Sequence, residues 1–322
     1  MAVNPTISEP TISAVDFVKE ESREMLTPGQ LVWRRFRKHR MALIGAVGII
    51  LVILFIVIGS ILVPENSANS GNLLVRLSSP MAGHIFGTDS TGRDVFFRII
   101  YGGQISLFIG LLAVALEVSL GTLLGGMAAY FGGWVDALIM RFTEAMLAIP
   151  SLFLLIVLAK FLGHNIPTFR VLGRTFSGSV LIVILVIGIT SWMYLARIVR
   201  ANVLSLKELD YIAASKALGA NSPRIFFGHL VPNTLGPIIV ASTLGLANAI
   251  LTEAYVSFLG LGVQPPTATW GNMMDQAQSF LLRGIWWMWV FPSVFIVLTI
   301  LCINLMGDGL RDAFDPRSSR HL

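Results

Sequence analysis

Residues 41–63, MALIGAVGIILVILFIVIGSILV, contain no charged side chain. An α-helix rises about 1.5 Å per residue, so about 20 apolar residues cross a hydrocarbon core of about 30 Å. This stretch is therefore long enough to cross a bilayer as one helix. Together with later apolar stretches it predicts about six transmembrane helices, near 41–63, 105–131, 143–163, 179–199, 233–256 and 287–307.

The composition agrees with a membrane protein. Of the 322 residues 55% are hydrophobic and only 13% are charged, and the mean hydropathy is +0.76. A soluble domain carries about 25% charged residues. The expected fold class is an all-α integral membrane protein that has lipid as a partner. No basic segment is interleaved with aromatic residues along a soluble face, so nucleic acid is not an expected partner.

Positive charge predicts the orientation of the chain, because loops on the cytoplasmic side retain lysine and arginine. The densest group is WRRFRKHR, Trp33 to Arg40, directly before the first span. Both termini are therefore predicted to be cytoplasmic, and binding to anionic lipid is a compatible second role for this basic run. The chain is expected to divide into four parts. Residues 1–40 form a cytoplasmic N-terminal tail with its basic flank, and residues 41–104 form the first span with an outer loop. Residues 105–308 form the main transmembrane domain, which includes the loop 201–232, and residues 309–322 form a cytoplasmic tail.

The outer loop contains FGTDSTGRDVFFRIIYGGQISL, residues 86–107. Its second half, VFFRIIYGGQIS, predicts an interfacial helix that leads into the second span. Four charged residues are interpreted as local ion pairs or helix caps, with substrate binding as the alternative: Asp89, Arg93, Asp94 and Arg98.

The loop between the fourth and fifth spans reads RIVRANVLSLKELDYIAASKALGANSPRIFFGHLVPN, residues 197–233. The segment 210–218 favours a short helix with small residues on one face. Gly219 then ends or turns this helix, and Ser222 with Pro223 is typical of the start of a second one. The loop is thus predicted to form a rigid protrusion that a partner can approach closely.

This loop resembles a motif in permease subunits of binding-protein-dependent ABC importers: Glu-Ala-Ala, three residues, Gly, nine residues, then Ile-x-Leu-Pro. Gly219 takes the glycine position and Pro232 the closing proline, while Ala214 and Ser215 take the alanine pair. The glutamate position is Ala213, and His229 with Val231 replaces the aliphatic pair.

Three further segments are similar to the C-type permease subunit of dipeptide, oligopeptide and nickel importers. They are the outer segment 86–107, SFLGLGVQPPTATWGNM at 257–273 and NLMGDGLRDAFDPR at 304–317. Gly307 and Gly309 in the last of these are interpreted as ending the sixth span. The resemblance extends over most of the chain.

The resemblance implies a type I ABC importer permease fold with a cytoplasmic coupling helix in the loop 201–232, called the coupling loop below. It implies half of a translocation pathway for peptides delivered by an extracytoplasmic binding protein, in a bacterial inner membrane. The implied partners are a sister permease subunit, two ATP-binding subunits and that binding protein. The residues expected to meet the ATPase are Asp210, Ala213, Ala214, Ser215, Gly219 and Pro232.

The chain is not expected to be an enzyme or to bind a cofactor. It has no G-x-x-x-x-G-K-[ST] loop to cradle nucleotide phosphates, so ATP and Mg²⁺ are expected on the partner subunits. No Cys/His cluster predicts a metal site. The single cysteine, Cys302, lies in an apolar run and is interpreted as a packing residue.

Three residues are candidates for the pathway or its gate. Glu117 lies within the second span and is interpreted as lining the pathway or as bonding to another helix. Gln264 and Trp270 belong to GVQPPTATW, which either meets the binding protein, forms an outer gate or only caps the bundle. Trp270 is expected at the level of the lipid headgroups.

Other functions stay open at this point. A nickel or other small-solute importer shares the same permease motifs. An ion-coupled secondary transporter would need several intramembrane acids or paired broken helices, and Glu117 alone does not supply them. A membrane enzyme would need a catalytic set of residues that the sequence does not offer.

Overall fold

A computed structural model describes residues 27–162, 169–171 and 174–315 of the chain. Within these ranges five helices are long and apolar enough to cross a membrane, and a bent pair of helices brings the number to as many as six. This confirms the all-α membrane class and the expected count of about six spans. The one small sheet in the described part is the hairpin of β1 (Phe169–Val171) and β2 (Arg174–Phe176).

Most of the helices follow one another with short connections, and the longest fully described connection is residues 70–94. In chain order they are α1 Pro28–Lys38, α2 Arg40–Leu62, α3 Glu65–Asn69, α4 Val95–Phe131, α5 Gly133–Ala148, α6 Ser151–Leu162, α7 Ser179–Lys207, α8 Asp210–Ala217, α9 Ser222–Ile225, α10 Val231–Phe258, α11 Trp270–Ala277 and α12 Trp287–Phe314. A π-helical segment, Phe226–Leu230, joins α9 to α10, and two 3₁₀ turns lie at Leu73–Val75 and Gln278–Arg283.

The third span differs from its prediction as one helix at 143–163. The chain forms α5 and α6, which are bent by 91° at a short break. Proline lacks a backbone N–H and disfavours helical geometry in the residue before it. Ile149 accordingly has extended backbone angles, so Pro150 lies where the helical axis changes direction.

Two spans are longer than predicted. VFFRIIYGGQIS is not a separate interfacial helix, because α4 runs without interruption from Val95 to Phe131 over 37 residues. The fifth span likewise includes α9 and the π-helical segment, and extends from Ser222 to Phe258. The predicted second helix of the coupling loop is therefore the first turn of a spanning helix.

The centre of the molecule is the contact between α4 and α7, against which α10 packs. Gly121 and Gly125 of α4 allow the helices to approach closely. A Cβ at Gly125 would overlap the backbone of Ala196 on α7, and one at Gly121 would come within 2.8 Å of Leu195 Cβ. Cys302 of α12 is buried beside Gly48 of α2, which confirms its packing role.

The last helix does not end at Gly307 or Gly309. Helix α12 continues to Phe314, because both glycines lie at close contacts with neighbouring helices. Gly307 approaches Leu244 of α10, and a Cβ at Gly309 would overlap that of Ala42 on α2. The segment 309–314, expected in a tail, is thus part of the helical bundle.

Candidate functional site

Helix α8 presents the small residues of the coupling loop to solvent. Asp210, Ala213 and Ala214 are exposed and Ser215 is half-buried, whereas Ile212 is fully buried. Gly219 follows the helix with φ +82°, a backbone conformation that residues with a Cβ rarely adopt. This confirms the predicted helix and the glycine turn.

Ile212 anchors α8 to the membrane helices. It belongs to a buried cluster with Val203 of α7 and with Ile225, Phe226 and Leu230 of the fifth span. A second link runs from Ser215 to His229, whose Oγ and Nε2 are 3.4 Å apart. A displacement of α8 would therefore be transmitted to two spanning helices through packed side chains.

Tyr130, at the end of α4, joins the coupling loop to a third spanning helix. Its hydroxyl donates a hydrogen bond to Ser222 Oγ at 3.1 Å, and Lys216 Nζ lies 5.8 Å from the centre of its ring. Lys207 Nζ donates to the carbonyl oxygen of the neighbouring Ala129 at 3.3 Å. Sequence reasoning missed Tyr130 because nothing near it in the chain indicates its partner.

The exposed surface of the loop also carries large apolar side chains. Leu218 is 88% exposed, Phe227 is 60% exposed and Tyr211 is 41% exposed. Pro232, which completes the motif, is exposed in the first turn of α10. Apolar side chains grouped on a polar surface are typical of a protein contact. The motif had identified the small residues of this surface but not its apolar ones.

Glu117 is buried between α4 and α10. It is 7% exposed, and a Cβ at Gly245 of α10 would lie 2.9 Å from its Oε2. The absence of a side chain at Gly245 leaves room for the carboxyl group. Glu117 and the α8 residues lie in separate parts of the molecule, so the predicted site residues do not form one cluster.

Glu253 is a second acid within a span, and sequence reasoning overlooked it. Its carboxyl group accepts hydrogen bonds from Ser106 Oγ of α4 at 2.9 Å and from Ser257 Oγ at 2.8 Å. Ser106 Oγ in turn accepts from the backbone N–H of Trp270, and Ser257 Oγ from that of Val263. These residues, the Glu253 network, hold the segment after α10 against α4. The sequence did contain a signal for the contact between Glu253 and Ser257, because these residues are four positions apart and so lie on one face of a helix.

Trp270 lies inside the helical bundle and not on its surface. Its side chain is fully buried, and its Nε1–H donates to the carbonyl oxygen of Ile99 at 3.0 Å. Gly103 provides the space, since a Cβ there would lie 2.6 Å from the indole ring. Tryptophan side chains are often found at the membrane interface. Trp270, at the start of α11, instead fills the space between its own helix and α4.

Gln264, by contrast, is exposed at the surface of the same segment. Its side-chain amide donates to the carbonyl oxygens of Gly260 and Gly262 at 3.1 and 3.2 Å. Its backbone N–H donates to Ser179 Oγ at 2.9 Å. The residue thus fastens its loop to the start of α7.

The charged residues of the outer loop form the ion pairs and caps that were predicted. Asp89 Oδ2 is 2.8 Å from Arg93 Nε and 3.7 Å from Arg98 Nε. Asp94 accepts a hydrogen bond from the N–H of Phe97 at the start of α4, and its other oxygen is 2.7 Å from His84 Nδ1. We call Asp89, Arg93 and Arg98 the outer polar cluster.

Burial works against ionisation of Asp89, but other interactions outweigh it. The hydrogen bond from the Arg93 N–H, the charges of Arg98 and Arg93, and the Thr91 hydroxyl together hold the pKa of Asp89 below its ordinary value. Arg98 is 1% exposed, and neither of its terminal nitrogens has a hydrogen-bond partner in the part of the chain that the structure describes. The cluster therefore depends on the Asp89 carboxylate.

No group of three or more His, Cys, Asp or Glu side chains suited to a metal occurs among residues 27–162, 169–171 and 174–315.

The molecule is a helical bundle that combines an exposed, anchored helix, α8, with buried polar contacts elsewhere. With five or up to six candidate spanning helices, the chain is of the multi-span membrane protein class.

Two family models match the chain. The model described as binding-protein-dependent transport system inner membrane component matches residues 121–320, and that of the N-terminal TM domain of oligopeptide transport permease C matches residues 27–80. The chain belongs to the family of binding-protein-dependent transport system inner membrane components. It is a multi-span inner-membrane permease within an ABC importer.

Curated relatives match nearly the whole chain. The dipeptide transport system permease protein DppC of Bacillus subtilis (strain 168) is 39% identical over 298 residues, 92% of this chain and 88% of the relative. DppC of Alkalihalophilus pseudofirmus is 38% identical over 92% and 93% of the two chains. The oligopeptide transport system permease protein OppC of B. subtilis is 37% identical over 96% of each chain.

Proposed function

We propose that this chain forms half of the translocation pathway of an ATP-driven peptide importer. A sister permease supplies the other half, two ATP-binding subunits hold ATP and Mg²⁺, and an extracytoplasmic binding protein delivers the peptide. The observation that carries the proposal is α8, a short exposed helix whose one buried side chain, Ile212, is packed against the spanning helices. The names of the relatives support peptide as the substrate in preference to nickel.

In the proposed mechanism an ATP-binding subunit receives α8 at its small-residue face. Asp210, Ala213, Ala214 and Ser215 make the contact, and Gly219 sets the turn that follows. Movement of the ATPase displaces α8 as a rigid body, and differential contact in two states shifts the equilibrium of the bundle. Ile212 and Tyr130 pass this displacement to α7, α10 and α4.

The outer end and the interior would then act as gate and pathway. Gln264 lies on the exposed surface that a binding protein could reach, and Trp270 is the buried side chain around which the outer segment closes. Glu117 supplies the acid inside the bundle that faces the pathway in one of the two states.

The test is uptake of a labelled dipeptide into proteoliposomes that contain the full importer. We expect uptake only when ATP, both ATP-binding subunits and the binding protein are present. Omitting one component at a time, and replacing the peptide by Ni²⁺, are the controls. Uptake driven by an ion gradient without ATPase subunits would overturn the proposal. ATP-driven uptake of Ni²⁺ but not of the peptide would show that Ni²⁺, and not peptide, is the substrate.

The orientation is proposed from the basic residues before α2 and is tested separately. Cys302 is the only cysteine and is buried, so single cysteines can be added in a Cys302→Ala background. We expect a membrane-impermeant maleimide added outside intact cells to label Gln264→Cys but not Leu218→Cys. The reverse pattern would place the coupling loop outside and exclude the ATPase contact.

A further inference from the structure

In the first described helix, α1, three of the four basic side chains are exposed. Phe36 of α1 is buried against Ala313 of α12. Arg34, Arg37 and Lys38 are exposed, and Trp33, whose ring stacks on that of Phe36 with centres 6.1 Å apart, is 60% exposed. The helix thus has an apolar contact with the bundle and exposes three cations and an indole.

The position of α1 at the membrane is set by α2. His39 separates the two helices, and its Nδ1 accepts a hydrogen bond from the N–H of Ala42 in the first turn of α2. Because α2 begins at Arg40 as a spanning helix, α1 lies at the depth of the lipid headgroups. Its cations and Trp33 are therefore where headgroup phosphates are found.

Helix α1 is also fastened to the end of α12. Arg35 Nη1 donates to the carbonyl oxygens of Ala313 and Asp315 at 3.4 and 3.0 Å, and His39 Nε2 is 3.3 Å from Asp312 Oδ2. Of the acids at this corner Asp312 meets His39, while Arg35 binds backbone carbonyl oxygens at the end of α12. Arg34, Arg37 and Lys38 are exposed and take no part in these contacts.

We infer that α1 is a binding surface for anionic phospholipids of the membrane leaflet on its own side, and that it holds the end of α12 in place when lipid is bound. The charge complementarity favours lipid, because each lysine or arginine near an anionic surface contributes about 1 kcal/mol. An exposed tryptophan beside the cations is typical of a helix that lies in the interface. The inference goes beyond peptide transport and does not require that peptide is the substrate.

The test counts bound lipids on the purified importer complex by native mass spectrometry, with phosphatidylglycerol and phosphatidylcholine titrated in parallel. We expect tighter binding of phosphatidylglycerol, weakened by salt. In Arg34→Gln/Arg37→Gln/Lys38→Gln the preference for phosphatidylglycerol should fall by on the order of 100-fold, as the loss of three cations predicts. Arg34→Lys/Arg37→Lys/Lys38→Arg keeps the charge and should bind as the wild type does.

Two controls keep the result decisive. Arg141→Gln removes an exposed cation elsewhere, 3.2 Å from Glu144, and should leave lipid binding unchanged. If the triple glutamine variant inserts poorly, two measurements still test whether α1 binds anionic lipid. They are the salt titration of the wild type and the lipid binding of the Trp33→Ala variant. Equal binding of both lipids by the wild type, or undiminished phosphatidylglycerol binding by a correctly inserted triple variant, would overturn the inference. Intact lipid binding without peptide uptake would contradict the proposed function alone.

Discussion

The outer polar cluster and the coupling loop are built in opposite ways. In the former, Asp89 and Arg98 are buried and find their partners within the chain. In the latter, Ala213, Ala214 and Leu218 are exposed, and Ile212 is the one buried side chain of α8. One region is buried and held by ion pairs within the chain, whereas the other presents a surface that a partner would cover. Damage to the first should reduce stability, and damage to the second should reduce coupling.

The largest expected effect is that of Asp89→Ala. It leaves Arg98 buried without its counter-charge, and breaking a buried ion pair costs about 3–5 kcal/mol. We expect a large fall in the thermal unfolding temperature of the purified subunit in detergent. The exposed Arg141–Glu144 pair is the control, since removing such a pair costs about 0–1 kcal/mol. Similar losses for both pairs would remove the contrast between buried and exposed charge.

A second change targets the Glu253 network. Glu253→Ala leaves the hydroxyls of Ser106 and Ser257 without their acceptor, which should cost about 1–3 kcal/mol of unfolding free energy. Glu253→Gln keeps one acceptor oxygen and the shape of the side chain, so it should cost less. Hydrogen exchange of the segment 258–269 would report whether the loss is local. Unchanged exchange in the alanine variant would show that the network does not hold this segment.

Gly219→Val tests the other side of the comparison. A β-branched residue at φ +82° is strained by about 1–2 kcal/mol, so the turn after α8 should shift while the bundle stays folded. We expect uptake per ATP hydrolysed to fall roughly tenfold at nearly unchanged unfolding temperature. Gly219→Asn, which tolerates this backbone conformation, is the matched control. Normal coupling in the valine variant would argue against a role for the turn.

The smallest effect concerns pH. Because the pKa of Asp89 is lowered in the folded state, its stabilising effect is present above the unfolded pKa of about 3.9 and is lost as pH falls through the lower folded value. The difference in unfolding temperature between the wild type and Asp89→Asn should be constant from about pH 7 to 5 and shrink below about pH 4. A difference that shrinks near neutral pH would assign the effect to another group.

Much of the coupling loop could be predicted because its signals are local. The small residues of 210–217, the glycine at 219 and the Ser-Pro pair at 222 determine helix starts and turns within a few residues. The ion pairs of Asp89 are also local, since Arg93 is four residues away. Sequence reasoning succeeds where a residue and its partner are neighbours in the chain.

The errors lie where the partner is distant. The burial of Trp270 was not predicted, because its pocket, built by Gly103 and Ile99, is far away in sequence. Gly309 was expected to end a helix, but α2 packs against it and the helix continues. The length of α4 could not be inferred either, because its first turns pack against segments that are distant in sequence. Tertiary contacts override local preference at each of these positions.

The contacts of Arg35 with the end of α12 also indicate whether the chain crosses the bilayer an even or an odd number of times. Arg40 begins the first span and Phe314 ends the last, and these two points lie at one corner of the molecule. A chain that enters and leaves on the same face crosses an even number of times. Five helices are long enough to cross, and the bent pair α5–α6 brings the number to as many as six, which is even. With the pair counted as one span, the break at Pro150 lies inside the bilayer, where unpaired backbone groups need protein or water as partners.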